Sequence, residues 1–341
     1  MPVKRKDGLW QQQVTVTQDG RKSQKYFYGR TKQEVLEKIL ADEGRRDAGP
    51  SFSAVADDWW EDAQKRIAYN STKNYHPAYL RARARFGEIP IRSITPAMAA
   101  QFLQAYISDA NPAQKTLTTQ RLVLSLIFKH ACATGAADTN PVRDLPITRG
   151  KPGKPRPLPS DRDIRAVRDS VSLPGGLLPY FAMYSGLRKG ELLALRWDDI
   201  NLDEREIHVT KSLYHAANRP YIKEPKTDAG TRTVPIIDRL ADVLQPSSGL
   251  VFPNSSGELF TETQFQKLWR DYVAEAKISC TLHQLRHVFA TILYESGVDA
   301  KDAQYILGHS SLQMTLDLYT HIRETRRKKV SSKIMSADIK V

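Results

Sequence analysis

Apolar residues recur at three- and four-residue spacing through most of this chain, which predicts a mainly helical protein with a few short strands. Near the start, Trp10, Val14 and Val16, an Asp19-Gly20 turn and the Tyr26 to Tyr28 run predict a small antiparallel sheet, with three strands expected. Thr31 then caps a helix with Glu34 at the capping-box position, carrying Val35, Leu36, Ile39 and Leu40. After a Gly49-Pro50-Ser51 break, residues 53–67, 72–85, 96–108 and 116–134 each carry helical periodicity. Pro77 is placed to kink the second of these, Gly87 closes it, and Pro96 sits in a first turn. Further on, Glu206 to Ser212 alternates as a strand. Leu285, Val288, Phe289, Ile292 and Leu293 predict an amphipathic helix from Leu282 to Glu295, ended by Gly297. Asp299 caps a short helix carrying Ala303, Ile306 and Leu307, and Gly308 stops it with His309 just outside. Ser310 or Ser311 then caps a further turn or two through Met314 and Leu318, delivering Tyr319 near the imidazoles. A basic helix bearing Ile322, Val330 and Ile334 follows.

The pattern divides the 341 residues into 1–50, 51–145, a connecting 146–159, 160–321 and a basic tail 322–341, a multidomain α+β protein. Residues 144–159 hold five prolines, two glycines and four basic residues against one acid, which keeps that segment extended and cationic. Charge narrows the class of partner. A net charge of +13 and a pI near 9.6 favour nucleic acid over acidic small molecules. Seven basic and two acidic residues in the first thirty give that small module +5. No apolar run approaches the ~20 residues that span a bilayer, so a soluble, intracellular protein without a membrane partner is expected. The two cysteines, Cys132 and Cys280, are 148 residues apart and lack C-x-x-C spacing, so both read as core residues.

The candidate chemistry lies at both ends of the last large segment. Arg286 and His287 follow His283 by three and four residues, which sets each of them beside it on a helix. Histidines at i, i+4 imitate a zinc helix, but H-Q-L-R-H lacks the glutamate of that motif and sets an arginine beside the supposed cation, so no metal is expected. Upstream, Y-S-G-L-R-K-G-E-L-L-A-L-R-W at 184–197 is a buried helix. Gly186 and Gly190 let the backbone at Arg188 pass close to something, and Arg188 and Glu191 are spaced as an ion pair.

The order Arg188, His283-x-x-Arg286, His309, Tyr319 resembles the catalytic domain of the tyrosine recombinases, specifically the phage-type integrases, over about half the chain. The resemblance implies the fold: a small N-terminal sheet with a helix, an all-helical core-binding domain, and a mostly helical catalytic domain with a small antiparallel sheet. It also implies the chemistry, site-specific recombination that integrates and excises a mobile element through a 3′-phosphotyrosyl intermediate. Arginine stays protonated and matches phosphate bidentately, so Arg188 and Arg286 can hold the nonbridging oxygens as they gain charge. Tyr319 would be the nucleophile and His283 its base. Lys226, in a P-K-T that resembles the family's hairpin lysine, would be the general acid, with Lys223 the alternative; His309 would add a hydrogen bond and Glu191 would orient the site. The phosphotyrosyl ester keeps the energy of the broken bond, and the chain has no G-x-x-x-x-G-K-[ST] loop, so no cofactor is expected.

By the same resemblance residues 1–50 form an arm-binding module reading arm-type sites, with Lys4, Arg5, Lys6, Arg21, Lys22 and Lys25 on DNA. Lys73, Arg81, Arg85 and Lys115 of the helical domain, and Lys151, Lys154 and Arg156 of the linker, would contact the core-type site. The expected partners are double-stranded DNA at two sites, a homotetramer, an excisionase and a host DNA-bending protein, in a bacterial cytoplasm at the nucleoid. Two rival readings are a type IB topoisomerase, which the N-terminal basic module disfavours, and a catalytically silent DNA-binding regulator, which the intact residue set disfavours.

Overall fold

The structure is a computed structural model that describes residues 1–18, 21–47, 49–146, 149–152, 157–224 and 230–335; at 16–18, 21–22, 41–47, 321, 325–326 and 328–335 it describes the backbone alone. The Asp19-Gly20 turn, Lys154, Arg156 and Lys226 therefore lie outside the described residues, as do the side chains of Arg21 and Lys22. The chain divides into two compact units, Met1–Lys154 and Pro155–Val341.

The first unit opens with β1 (Val3–Lys4), β2 (Trp10–Gln18) and β3 (Arg21–Gly29), an antiparallel sheet in the order β1-β2-β3, followed by α1 (Lys32–Asp47). Alternation puts Trp10, Val14 and Phe27 on one face, where they pack on Val35 and Ile39 of α1. The capping box departs slightly from expectation. Glu34 N–H donates to Thr31 Oγ1 at 3.1 Å, but the Glu34 carboxylate accepts from Arg30 N–H at 2.7 Å, one residue ahead of the cap.

Helices α2 (Phe52–Arg66), α3 (Tyr69–Phe86), α4 (Pro96–Ala110) and α5 (Gln114–Ala133) fall where helical periodicity places them, α3 starting three residues earlier with Pro77 inside it. Ser51 and Thr95 cap α2 and α4 by accepting from Ala54 N–H and Met98 N–H. The four helices bury a core separate from the sheet's, centred on Phe52, Phe86 and Phe128; burying each ring fully contributes roughly 1.5–3 kcal/mol.

The second unit runs α6 (Asp161–Asp169), α7 (Leu177–Ser185), α8 (Lys189–Ala194), β4 (Ile200–Asn201), β5 (Glu206–Val209), β6 (Ser212–Ala216), β7 (Arg219–Lys223), β8 (Arg232–Pro235), α9 (Asp238–Ala241), α10 (Glu262–Glu275), α11 (Leu282–Glu295), α12 (Ala300–Leu307) and α13 (Leu312–Met335). Helix α7 is buried from Leu178 to Ser185 and packs on α11, forming the middle of the core. The strand expected over Glu206–Ser212 is instead the end of one sheet and the start of another. β5 pairs with β4 and β8, whereas among the described residues β6 pairs with β7 alone, so the chain changes sheets at Thr210-Lys211, where Lys211 donates to Asp199 at 2.9 Å. The C-terminal region also differs. Tyr319 is not at the end of a short turn followed by a separate helix, because α13 continues unbroken through it. Among the described residues, no helix is long and apolar enough to cross a membrane.

Candidate active site

Two glycine turns bring the site together. Gly186 ends α7 in the left-handed region at φ 65°, and a Cβ there would lie 2.4 Å from the Phe289 ring. Gly308 ends α12 at φ 63°, and a Cβ there would lie 2.9 Å from the Arg232 guanidinium carbon. Both conformation and space therefore require glycine, and each turn offers a carbonyl to an arginine.

The last carbonyls of α12 organise three guanidiniums. Arg232, from β8, donates Nε–H to Ile306 O at 2.8 Å; Arg286, from α11, donates to Leu307 O; Arg188, at the head of α8, donates to Gly308 O. A helix end leaves such carbonyls without intrahelical donors and carries partial negative charge, so three cations satisfy it both ways. Arg286 also donates to Gly186 O at 2.7 Å, tying α11 to the α7 turn.

Glu191 is the carboxylate at the centre. Its oxygens accept from Arg188 N–H at 2.8 Å, Arg188 Nη1 at 2.7 Å, and Arg232 Nη1 and Nη2 at 3.1 and 2.9 Å, and Arg286 Nη1 stands 4.0 Å away. Burial alone would raise its pKa, but hydrogen bonds and charge from Arg232, then Arg188, outweigh it and hold the group down at about 2. Burial, then Arg188, bring Arg286 down to about 9, so it remains a cation near neutral pH. Three guanidiniums against one carboxylate leave the cluster about two charges positive, a site for an anion.

His309 follows Gly308 and is 6% exposed. Its Nδ1 is 2.9 Å from Thr315 Oγ1, and its N–H donates to Gln304 O at 3.0 Å. Burial first, then Arg286, Arg188, His287 and Arg232, push its imidazole down to about 3, so it is neutral at working pH. His283 and His287 lie edge to face on α11 with ring centroids 4.6 Å apart. His283 is exposed and His287 half-buried.

Tyr319 stands away from the cluster. Its hydroxyl donates to Val298 O at 3.3 Å, and its ring meets that of Tyr294 at 5.0 Å. Val298 precedes α12, whereas the arginines grip the far end of that eight-residue helix, so the carbonyl that holds the hydroxyl and those that hold the guanidiniums lie at opposite ends of α12, roughly 12 Å apart along its axis. On α11, Tyr294, whose ring meets that of Tyr319, likewise follows Arg286 by eight residues. Burial, then the Asp299 carboxylate, raise the Tyr319 hydroxyl to about 12.

Comparison with known proteins covers most of the chain. Residues 167–326 match the phage integrase family and residues 52–147 the phage integrase central domain. The chain belongs to the phage-type tyrosine recombinases. The activity is accordingly that of an enzyme of site-specific DNA recombination, and neither the topoisomerase nor the silent-regulator reading is favoured. A tyrosine recombinase XerC-like protein of Caldanaerobacter subterraneus subsp. tengcongensis is 26% identical, covering 93% of this chain and 94% of its own. Among solved structures, the Tn1549 transposon integrase in complex with transposon right end DNA shares the fold with a TM-score of 0.65 at 20% identity, covering 83% of this chain and 100% of that one. A lambda integrase tetramer bound to a Holliday junction shares it at 0.58 and 20% identity, over 91% and 95%.

The recombinase thus brings Arg188, Glu191, Arg286 and His309 together and holds Tyr319 one helix length off. Lys226 is outside the described residues; Lys223, at the end of β7, is exposed with its ammonium 5.5 Å from the Tyr214 ring. Of the basic residues expected on DNA, Lys4, Lys6, Lys73, Arg85, Lys115 and Lys151 are exposed, as are Arg5 and Lys25, which lie over the Tyr28 and Phe27 rings. Arg81 is directed inward instead, donating to buried Gln120 at 2.7 Å and stacking 4.6 Å from Tyr106.

Arg232 is the site residue that sequence reasoning missed. Arg232 and Val234 are two apart on a strand and so share a face, but that this face is buried emerges only in the fold, where Val234 is core. An arginine on a buried face needs an anion, which Glu191 supplies.

Proposed function

We propose that this recombinase cuts and rejoins DNA through a covalent 3′-phosphotyrosyl ester on Tyr319, integrating and excising a mobile element. The observation that carries the reading is the cationic cluster at the end of α12, where Arg188, Arg232 and Arg286 surround a single carboxylate beside a neutral His309. Such a cluster suits a phosphodiester whose two nonbridging oxygens gain charge in the transition state. Arg188 and Arg286 hold those oxygens, His309 donates a further hydrogen bond, and Glu191 with Arg232 keeps the guanidiniums in register.

In the cutting step the Tyr319 oxygen bonds to phosphorus as the bond to the 5′-oxygen breaks. The phenolic proton passes to His283, and the leaving 5′-oxygen takes a proton from Lys226. Attack by a second strand's 5′-hydroxyl reverses these transfers and releases the tyrosine, so no nucleotide is consumed. Because Tyr319 now rests with its hydroxyl on Val298 O, the turn of α13 that carries it must move toward the arginines before attack, while Thr315, one turn earlier, stays on His309.

The net charge of +13 and the exposed lysines and arginines of both units fit double-stranded DNA as partner. Residues 1–50 would take arm-type sites, and 51–145 with 160–321 the core-type site. A tetramer on two sites is the working assembly, as the lambda integrase tetramer on a Holliday junction suggests. The test is Tyr319→Phe on a nicked suicide duplex: DNA affinity should remain while the covalent protein–DNA adduct disappears. An adduct that persists in that variant, mapped to Tyr305 or Tyr294, would overturn the assignment.

A further inference from the structure

Thr315 is the fourth residue of α13, is fully buried, and directs its hydroxyl at His309 Nδ1 across 2.9 Å. Other threonines on helices behave differently. Thr118, Thr119 and Thr291 donate to the carbonyl four residues back, as an unoccupied helical hydroxyl ordinarily does. Among the described residues, the Thr315 hydroxyl meets no acceptor other than the His309 ring.

That contact decides a tautomer. A neutral imidazole carries one N–H and one lone pair. Were Nδ1 protonated it would donate to Thr315 Oγ1, leaving the threonine's own proton buried with no acceptor, which costs the desolvation of that proton. With the hydroxyl donating to Nδ1 instead, the proton of the neutral ring sits on Nε2. The ring lies in the field of Arg286, Arg188, His287 and Arg232, which adds to burial in keeping it neutral. A neutral ring with its lone pair on Nε2 would offer an anion a repelling acceptor; with Nε2–H it offers a donor.

We propose that Thr315 is a positioning residue that fixes His309 as the Nε2–H tautomer, so that the ring presents a neutral hydrogen-bond donor to the phosphate. The inference rests on the phosphoryl-transfer reading above and specifies how His309 takes part in it. Thr315 and Tyr319 are four residues apart on α13 and share a face, so the hydroxyl that sets the ring also seats the turn leading to the nucleophile.

The test uses the full chain labelled with 15N, alone and on a nicked suicide duplex. Long-range 15N–1H correlation reads imidazole tautomers, with the His309 signals assigned by their loss in His309→Gln. Wild type and Thr315→Ser should both show Nε2–H, whereas Thr315→Val should show the other tautomer or a mixture. Single-turnover cleavage should fall on the order of 10- to 100-fold in Thr315→Val, the range found when the hydrogen-bond partner that orients a metal-ligating histidine is removed, and return to near the wild-type rate in Thr315→Ser. Nδ1–H in the wild-type spectrum overturns the proposal, and so does a valine variant with unchanged tautomer and rate. Should the valine variant fail to fold, the wild-type and serine spectra still decide. Cleavage undiminished in His309→Gln would instead count against the functional reading while leaving the tautomer assignment standing.

Discussion

Replacing Glu191 by glutamine keeps the shape of the side chain and removes the one carboxylate from among three buried or half-buried guanidiniums. The pKa of Glu191 in the folded chain, about 2, lies below the ordinary glutamate value of 4.5. A depressed carboxylate stabilises the fold fully above the ordinary value and loses that stabilisation as pH falls through the folded one. At 1.36 kcal/mol per pH unit, the gap amounts to about 3 kcal/mol near neutrality. A second route gives a similar figure, since breaking a buried ion pair by removing one partner costs about 3–5 kcal/mol. Glutamine also turns an N–H pair toward donors that Arg188 and Arg232 already aim at that position.

For a unit of this size, 1 kcal/mol moves Tm by about 2–4 °C, so E191Q should lower the melting transition of the second unit by roughly 6–12 °C near pH 7. Melts followed by circular dichroism at several pH values make the check sharper. Near pH 3 the wild type should have lost more than half of the contribution, and the gap between the two proteins should narrow by about the same fraction. Equal gaps at pH 7 and pH 3, or a shift under about 2 °C at pH 7, would refute the argument that Glu191 is held ionised by the cluster.

Other outcomes follow from the same geometry. Cleavage of a core-type site should persist in excess chelator, because guanidiniums occupy the role a divalent cation plays elsewhere; loss of cleavage that added magnesium or zinc restores, with DNA binding unaffected, would count against it. A fragment beginning at Ser51 should cleave a short core site as the full chain does. It should lose affinity for longer flanking DNA and show a shallower salt dependence, by roughly 0.9 in the log–log slope for each phosphate that residues 1–50 neutralise in the full chain, as measured by titration at several salt concentrations. Recombination of full attachment sites by that fragment at the intact chain's efficiency would show residues 1–50 to be dispensable.

The candidate residues were legible as a set and not singly: taken one at a time each has an ordinary structural reading, and it is the order Arg188, His283, Arg286, His309, Tyr319 that resembles the tyrosine recombinases, while Asp299 and Gly308 mark the ends of the helix around which they gather. Two features were not legible, for different physical reasons. Arg232 reads as one more arginine in a basic hairpin until the pairing of β5 with β8 turns its face inward, and pairing is a long-range property. The position of the Tyr319 hydroxyl depends on how α13 packs against α11 and α12, which no periodicity within α13 encodes. The continuity of α13 through Tyr319 is hidden in a similar way. Ser310 and Ser311 give a clear start signal, but nothing after Tyr319 breaks the helix, and a change from apolar to basic composition reads as a boundary where the backbone has none.

Helix α12 is the element on which these observations converge. Its C-terminal carbonyls hold the three guanidiniums that a phosphate would engage, and the carbonyl just ahead of its N-terminus holds the tyrosine hydroxyl. The two ends also set opposite electrostatics for a phenol. Beside Val298 and the Asp299 carboxylate, ionisation is disfavoured and the hydroxyl is raised to about 12; beside Arg188 and Arg286 the sign reverses, because a cation favours the phenolate. A tyrosine resting at the first end is therefore a poor nucleophile for reasons of charge as well as distance. On the proposed reading, a movement of the Tyr319 turn of α13 toward Arg188 and Arg286 would remove the charge penalty as it closes the distance, so that approach and activation would be a single event rather than two.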